Sequence, residues 1–396
     1  MFFYHSLLHN RQFRYLGAFY THSLIRLFAV AIFQIFNGIY IYQTLLGFGL
    51  TLSQSIATTA LIFALMFLIQ ALAVAPSLWI INKKGLRFSV FWGNIALILF
   101  YVFLMLSQFD PILFILAAIF AGIQLGLYWT AYHIYFAQLT DDASQGKEVS
   151  LNASLGAIVS IGAPAFGGLI ISFFGYPAVF LAISLLMGVA IIPLRNLPKQ
   201  NDRVPFDILK TVLLLSPKKE IKSLLAYSGM GVNQTSTQVF WPIFVLPILA
   251  GAAGIGFLGS LIALFGSASA IGVGFLIDRF GGKKVLNILS PLDSLVGLAR
   301  LFVNLPFQVF GISTISSALS EGQFMTIDSM AYARGRHSNI VAIIVQREVG
   351  LAVGRFVFLI FLGLLFWFGL PLGVVFVITA LMTLATRLYP DKNESV

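Results

Sequence analysis

A chain of 396 residues that is 59% hydrophobic and only 10% charged lacks the polar surface to cover a water-soluble globule, whose charged fraction averages about 25%. The net charge of +10 is spread over short connections and forms no folded basic face, which excludes a nucleic-acid partner. Cysteine is absent and the five histidines are scattered, so disulfides are excluded and neither a metal site nor a cofactor is expected.

A bilayer core of about 30 Å takes about 20 apolar residues per helix. Spans are predicted at 24–46, 53–80, 88–107, 112–138, 150–173, 177–194, 223–248, 254–277, 285–303, 308–331, 340–366 and 371–388. The first is long enough to cross, and reads as an uncleaved anchor. Even-numbered connections carry Lys83, Lys84 and Arg87; Lys147; Arg195 through Lys222; Arg279, Lys283 and Lys284; and Arg334 and Arg336. Odd-numbered connections carry only Asp110. This asymmetry places both termini in the cytoplasm of a multi-pass protein of the inner or plasma membrane, with basic residues against anionic lipid headgroups. Residues 195–222, with Pro198, Pro205 and Pro217, form a cytoplasmic central loop whose apolar stretch Phe206–Leu215 suits the membrane surface. The loop separates a bundle over 1–194 from a second over 223–396.

Between spans eight and nine lies Gly274-Phe-Leu-Ile-Asp278-Arg279-Phe-Gly281-Gly-Lys283-Lys284, where glycines permit a tight turn and basic residues stop the chain at one membrane face. This segment resembles the loop signature of the major facilitator superfamily of transporters. A degraded copy, Asn82-Lys83-Lys84-Gly85-Leu86-Arg87, follows span two, with Asn82 in place of the aspartate. The resemblance implies an all-α polytopic fold of twelve transmembrane helices in two pseudo-symmetric six-helix bundles, a monomer, and a small-molecule substrate bound at their interface near the midplane. It also implies that Asp278 helps close the cytoplasmic side against the start of span five, near Ser150, where a helix N-terminus favours an anion. The competing reading is a solvated turn that only fixes topology. Gly162-Ala-Pro164-Ala-Phe-Gly167-Gly168 is similar to a Gly-Pro-x-x-Gly-Gly element of exporters, which favours export and leaves antiport, symport and uniport open; plain packing is the alternative. Gly122 with Gly126, and Gly350 with Gly354, read as packing notches.

Ionisable residues inside a bilayer cost about 3 kcal/mol or more each, so those present need a reason. Span nine carries Asp293 and Arg300, span ten Glu321 and Asp328, and span eleven Arg347, Glu348 and Arg355. Asp293 with Arg300, expected in a peripheral helix, reads as a structural pair. Glu321 and Glu348 fall within about one turn of each other in depth, with Arg347 beside them. Four acids face three arginines, which leaves one carboxylate whose least costly partner is a proton. Glu321 and Glu348 are therefore the proton-coupling candidates, with sodium as the alternative ion, Arg347 as switching counter-ion and Asp328 nearer the cytoplasmic mouth. A permanent network of Glu321 with Arg355 and Asp328 with Arg347 is the competing reading.

Span one offers Gln34, Asn37 and Tyr40, span four Tyr128, Trp129 and Tyr132, and span seven Asn233, Gln234, Thr237, Gln238 and Trp241. The resemblance places spans one, four, seven and ten around the cavity, so these residues are its candidate lining, although amides also join helices. Such a lining suits an uncharged, amphipathic or cationic organic solute. Arg26 is expected to snorkel to the headgroups and His133 to pack between helices. Gly254-Ile-Gly256-Phe-Leu-Gly259 follows no strand and is a chance dinucleotide-like match, and P-loop, zincin and nucleophile-elbow motifs are missing. The reading is a secondary transporter and not an enzyme, with a lipid scramblase, a membrane enzyme or a non-transporting sensor as rivals.

Overall fold

A computed structural model describes residues 11–139, 145–197, 217–249, 251–336 and 339–391, and no strand occurs among them. Helix α1 runs Arg11–Phe33, through a 3-10 turn at Gln34–Phe36, to Asn37–Gly47. It is followed by α2 (Leu52–Lys84), α3 (Leu86–Leu106) and α4 (Leu113–Leu139). The helical run Gln145–Leu194 bends at Gly175 and supplies α5 and α6. Helix α7 comprises Pro217–Thr235, a π turn at Ser236–Phe240 and Trp241–Leu249. The remainder are α8 (Ala252–Phe280), α9 (Gly282–Ala299, ending in a 3-10 turn at Arg300–Phe302), α10 (Pro306–Arg336), α11 (Ile340–Trp367) and α12 (Val374–Leu384, with a 3-10 turn at Ala385–Leu388). Each predicted span corresponds to one of these twelve helices.

Local chemistry sets several boundaries. Thr51 and Gln54 form a reciprocal capping box at the start of α2, and the Asn339 side chain accepts from the Val341 and Ala342 amides to begin α11. Gly85 and Gly281, at φ 88° and 83°, end α2 and α8 in a backbone region closed to most side chains, so the next helix can start at once. The positive-φ glycines pair across the chain at equivalent connections: Gly49 with Gly251, Gly85 with Gly281, and Gly175 with Gly369.

The packing repeats in the same way. Helices α1 with α5, α2 with α4, α3 with α4 and α3 with α6 have counterparts in α7 with α11, α8 with α10, α9 with α10 and α9 with α12. A basic residue two positions after each turn glycine ties its own half together. Arg87 donates to the Leu197 carbonyl beyond α6 at 3.0 Å, and Lys283 donates to the carbonyls of Arg387 and Tyr389 beyond α12 at 2.8 and 2.6 Å.

The two halves touch along α2 with α11 and α5 with α8, a pattern that a two-fold exchange of halves maps onto itself. The end of the molecule bearing the even-numbered connections is here called the basic end. Toward the opposite end the halves meet closely at α1 and α7, where a Cβ on Gly38 would fall 2.7 Å from the Val239 carbonyl oxygen. They meet again at α5 and α8, where one on Gly168 would fall 2.6 Å from the Ala252 oxygen. The breaks in α1 and α7 lie beside the first of these contacts. Gly256 and Gly259 of the chance dinucleotide-like match pack on Pro164, Ala165 and Gly168 of α5. The stretch Phe206–Leu215 lies outside the described residues, as do the side chains of Lys147, Ser150 and Arg336.

Candidate functional site

Toward the basic end the halves are joined by polar side chains. Arg347, buried on α11, grips Asp328 of α10 with a two-pronged fork, Nε to Oδ1 at 2.8 Å and Nη2 to Oδ2 at 3.0 Å. Its Nη1 donates to Glu348 Oε1 at 2.6 Å and approaches His133 Nε2 of α4 at 3.3 Å. Since Arg347 has only protons to give, His133 Nε2 must accept, and the neutral ring then donates from Nδ1 to the Tyr332 hydroxyl at 2.8 Å. Gln70 of α2 completes the crossing by donating to Glu348 Oε2 at 3.2 Å. His133 therefore does more than pack helices, because it bridges the N-terminal half to both α10 and α11. Gln70 did not stand out in the sequence, and the partners of His133 could not be read there, because a lone polar residue shows no partner.

Glu321, Asp328 and Tyr332 share one stripe of α10, and Tyr332 shows that this stripe points toward the N-terminal half. Glu321 is partly buried beside Gly266 of α8, and has no hydrogen-bond or ion-pair partner among the described residues. Arg355 does not reach it. That guanidinium donates to the Gln234 side-chain oxygen and to the Gly231 carbonyl, and lies 4.9 Å from the Phe67 ring centre. The expected alternative network is thus half correct: Asp328 pairs with Arg347, while Glu321 and Arg355 stand apart. Asp328 and Glu348 share the single charge of Arg347, and Glu321 is the carboxylate with no cation beside it.

Several expected cavity residues turn elsewhere. Asn233 donates to Asp293 at 2.6 Å, Thr237 accepts from Arg300 at 3.1 Å, and Trp241 is fully buried with its indole donating to Ser313 at 2.8 Å. Asp293 also accepts from Gln323, and Ser316 links it to Arg300, so the inner face of α9 is tied to α7 and α10 while Ile288, Leu292 and Leu295 stay exposed on its outer face, and the two charges form no direct ion pair. Residues 233, 237 and 241 repeat every four positions and so share the face of α7 that meets α9 and α10. Tyr40 is buried with its hydroxyl on the Leu104 carbonyl at 2.7 Å, and Asn37 points among apolar residues of α2, α3 and α4. Tyr128 is covered by the Arg26 guanidinium at 3.6 Å. Arg26 does not snorkel: it is 5% exposed and donates to Asn94 and Gln124. Gln34 and Gln238 are exposed, Trp129 and Tyr132 are half-buried beside His133, and Gln234 holds Arg355.

The loop signature is partly structural. Gly281 makes the turn and Lys283 ties down α12, while Gly274, Asp278, Arg279 and Lys284 are exposed. A Cβ on Gly274 would meet nothing within 4 Å, and Asp278 has no partner among the described residues. Ahead of predicted span seven, Glu220 is gripped by Arg334 at 2.6 and 3.0 Å and by Gln346 at 2.9 Å, which joins α7, α10 and α11. Burial raises the Glu220 carboxyl, but the hydrogen bonds and charge of Arg334 and the bond from Gln346 more than offset this and hold it below the usual glutamate value.

The family model of the Major Facilitator Superfamily matches residues 23–306. The chain belongs to the major facilitator superfamily. Solved structures of the same fold include a D-xylose–proton symporter, at 14% identity and TM-score 0.72 over 98% of this chain and 100% of that one. The POT-family transporter PepTSo superposes at TM-score 0.75 with 11% identity, over 95% of this chain and 97% of that one. The E. coli fucose:proton symporter does so at TM-score 0.65 with 15% identity, over 95% and 98%. No curated protein matches the chain in sequence. Superfamily membership makes the chain a multi-pass membrane protein of the transporter class, not an enzyme.

Proposed function

We propose that the chain is a proton-coupled secondary transporter of a small organic solute, working by alternating access, with Glu321 as the coupling carboxylate. The observation that carries this is the position of Glu321 midway along α10, on the stripe that reaches the other half at Tyr332, with no cation beside it while Asp328 and Glu348 share Arg347. A carboxylate so placed accepts a proton at less cost than it bears a charge. Arg347 is the switching counter-ion, and its contact with His133, the His133–Tyr332 bond and the Gln70 bond to Glu348 must break for the basic end to open. Between the polar contacts and the glycine contacts lies the substrate layer, with Gln34, Gln234, Gln238, Trp129 and Tyr132 at its edges.

Two of the solved structures are named as proton symporters, which supports joint movement of proton and solute over exchange. Export is supported only by the resemblance at Gly162–Gly168, where Gly167 packs against α1 and Gly168 against α8. The chain works as a monomer in the inner or plasma membrane, its basic end and both termini in the cytoplasm, with bundles 1–194 and 223–396 rocking about the layer they share.

A thermal-shift screen of the purified protein at two pH values identifies a ligand, and flux of that ligand is then followed in proteoliposomes with an internal pH dye. Saturable flux that moves protons in wild type but not in Glu321→Gln is expected. Proton movement unchanged in that variant contradicts the role of Glu321. Lipid translocation without an ion gradient, and no solute flux, would favour a scramblase.

A further inference from the structure

Arg355 is midway along α11 as Glu321 is along α10, in the layer between the two sets of contacts that join the halves. It is only partly buried, and none of its contacts is an anion. Its Nη2 and Nε engage an amide oxygen and a backbone carbonyl, its flat face rests on Phe67 of the other half, and Nη1 has no partner among the described residues. The nearest acid along its own face, Glu348, is two turns away and already bonded to Arg347 and Gln70. Gln234 and Phe67 therefore fix the plane of a guanidinium that touches no carboxylate and keeps one edge unbonded among the described residues.

We infer that Arg355 anchors an acidic group on the substrate, so that the transported solute is a small organic monocarboxylate. A planar guanidinium held at one edge and along one face presents its remaining donors as a fork that matches a carboxylate. This replaces the uncharged or cationic solute that the amide and aromatic lining suggested. The inference rests on the proposed transport reading, and it also accounts for coupling. Asp328, Glu348 and Arg347 together carry one excess negative charge when ionised, and Arg355 is the remaining cation that balances them. An anion at Arg355 cancels that balance, and a proton taken up in the same layer restores it. Solute and proton then bind together.

The test is a thermal-shift panel on the full chain in detergent, using aliphatic, aromatic and hydroxy monocarboxylates, each beside its primary amide of nearly equal shape. At least one acid is expected to stabilise wild type while its amide does not, and more strongly at the lower pH. Arg355→Gln should weaken that acid by about tenfold or more, with Arg355→Lys between, because charge-assisted bonds are among the stronger ones. The acid–amide comparison in wild type stands even if a variant fails to fold. A panel in which no acid outperforms its amide overturns the inference, as does an acid that stabilises Arg355→Gln as well as wild type. The two readings fail separately. An acid that binds through Arg355 with no pH dependence removes coupling and leaves anion recognition. A neutral ligand whose binding follows pH through Glu321 does the reverse.

Discussion

Away from the basic end the halves meet backbone to backbone, with Gly38 under Val239, Gly168 and Gly256 against each other's helices, and Gly363 beside Leu61. Toward the basic end they meet through Gln70, His133, Tyr332, Arg347 and Glu348, each held by a directional bond. The first seam depends on shape and is indifferent to pH. The second depends on protonation states, because His133 must be neutral to accept from Arg347, and protonating Glu348 would remove the charge that strengthens its bond from Arg347. One end is thus a steric stop, and the other a chemical latch next to the unpaired carboxylate.

The largest effect should come from removing the cation of the polar seam. Arg347→Ala leaves Asp328 and Glu348 buried without the cation they share, and a loss of about 3–5 kcal/mol is expected, seen as a collapse of the melting temperature in detergent. A stable Arg347→Ala would show that the seam is not electrostatic. At the glycine seam, Gly168→Val should cost about 1–3 kcal/mol by overpacking. It should also raise maleimide labelling of a cysteine placed at Gln34 from the face opposite the basic end, a clean readout because the chain has no native cysteine. Unchanged labelling would mean that this seam is not what closes that end.

His133→Phe removes two bonds across the polar seam and should cost about 1–2 kcal/mol, loosening the basic end without affecting the glycine seam. Labelling of a single cysteine introduced at Trp129 from the basic side tests this. The smallest effect lies within one half. Glu220 has a lowered folded pKa, so its contribution to stability is present above the ordinary glutamate value and is lost as pH falls through the folded one. Glu220→Gln should flatten the acid side of the stability profile by at most about 1 kcal/mol, since the pair is partly exposed. A wild-type profile matching that of the variant in mild acid would remove the pair from the account.

The architecture could be read because lipid makes a coarse demand: a run of apolar residues must be a helix, and charged connections must lie at its ends. The Gly85 and Gly281 turns were legible for the same reason, since few other residues suit a positive φ. The charge count gave four acids to three arginines, but not their pairing, since Arg347 serves two acids and Arg355 touches none. Which side chain faces which neighbour was not legible, because that depends on helix rotation. Asn233, Thr237 and Trp241 read as cavity lining until Asp293, Arg300 and Ser313 were found behind them. Arg26 looked like a headgroup anchor because Asn94 and Gln124, its partners, come from distant segments that share no spacing with it.

Infrared difference spectroscopy across a pH titration tests the central claim most directly, because it needs no substrate. If Glu321 is the carboxylate that carries the proton, wild type and Glu348→Gln will show a protonated-carboxyl C=O band near neutral pH, and Glu321→Gln will lack it. A band that survives in Glu321→Gln, or disappears in Glu348→Gln, would contradict the account.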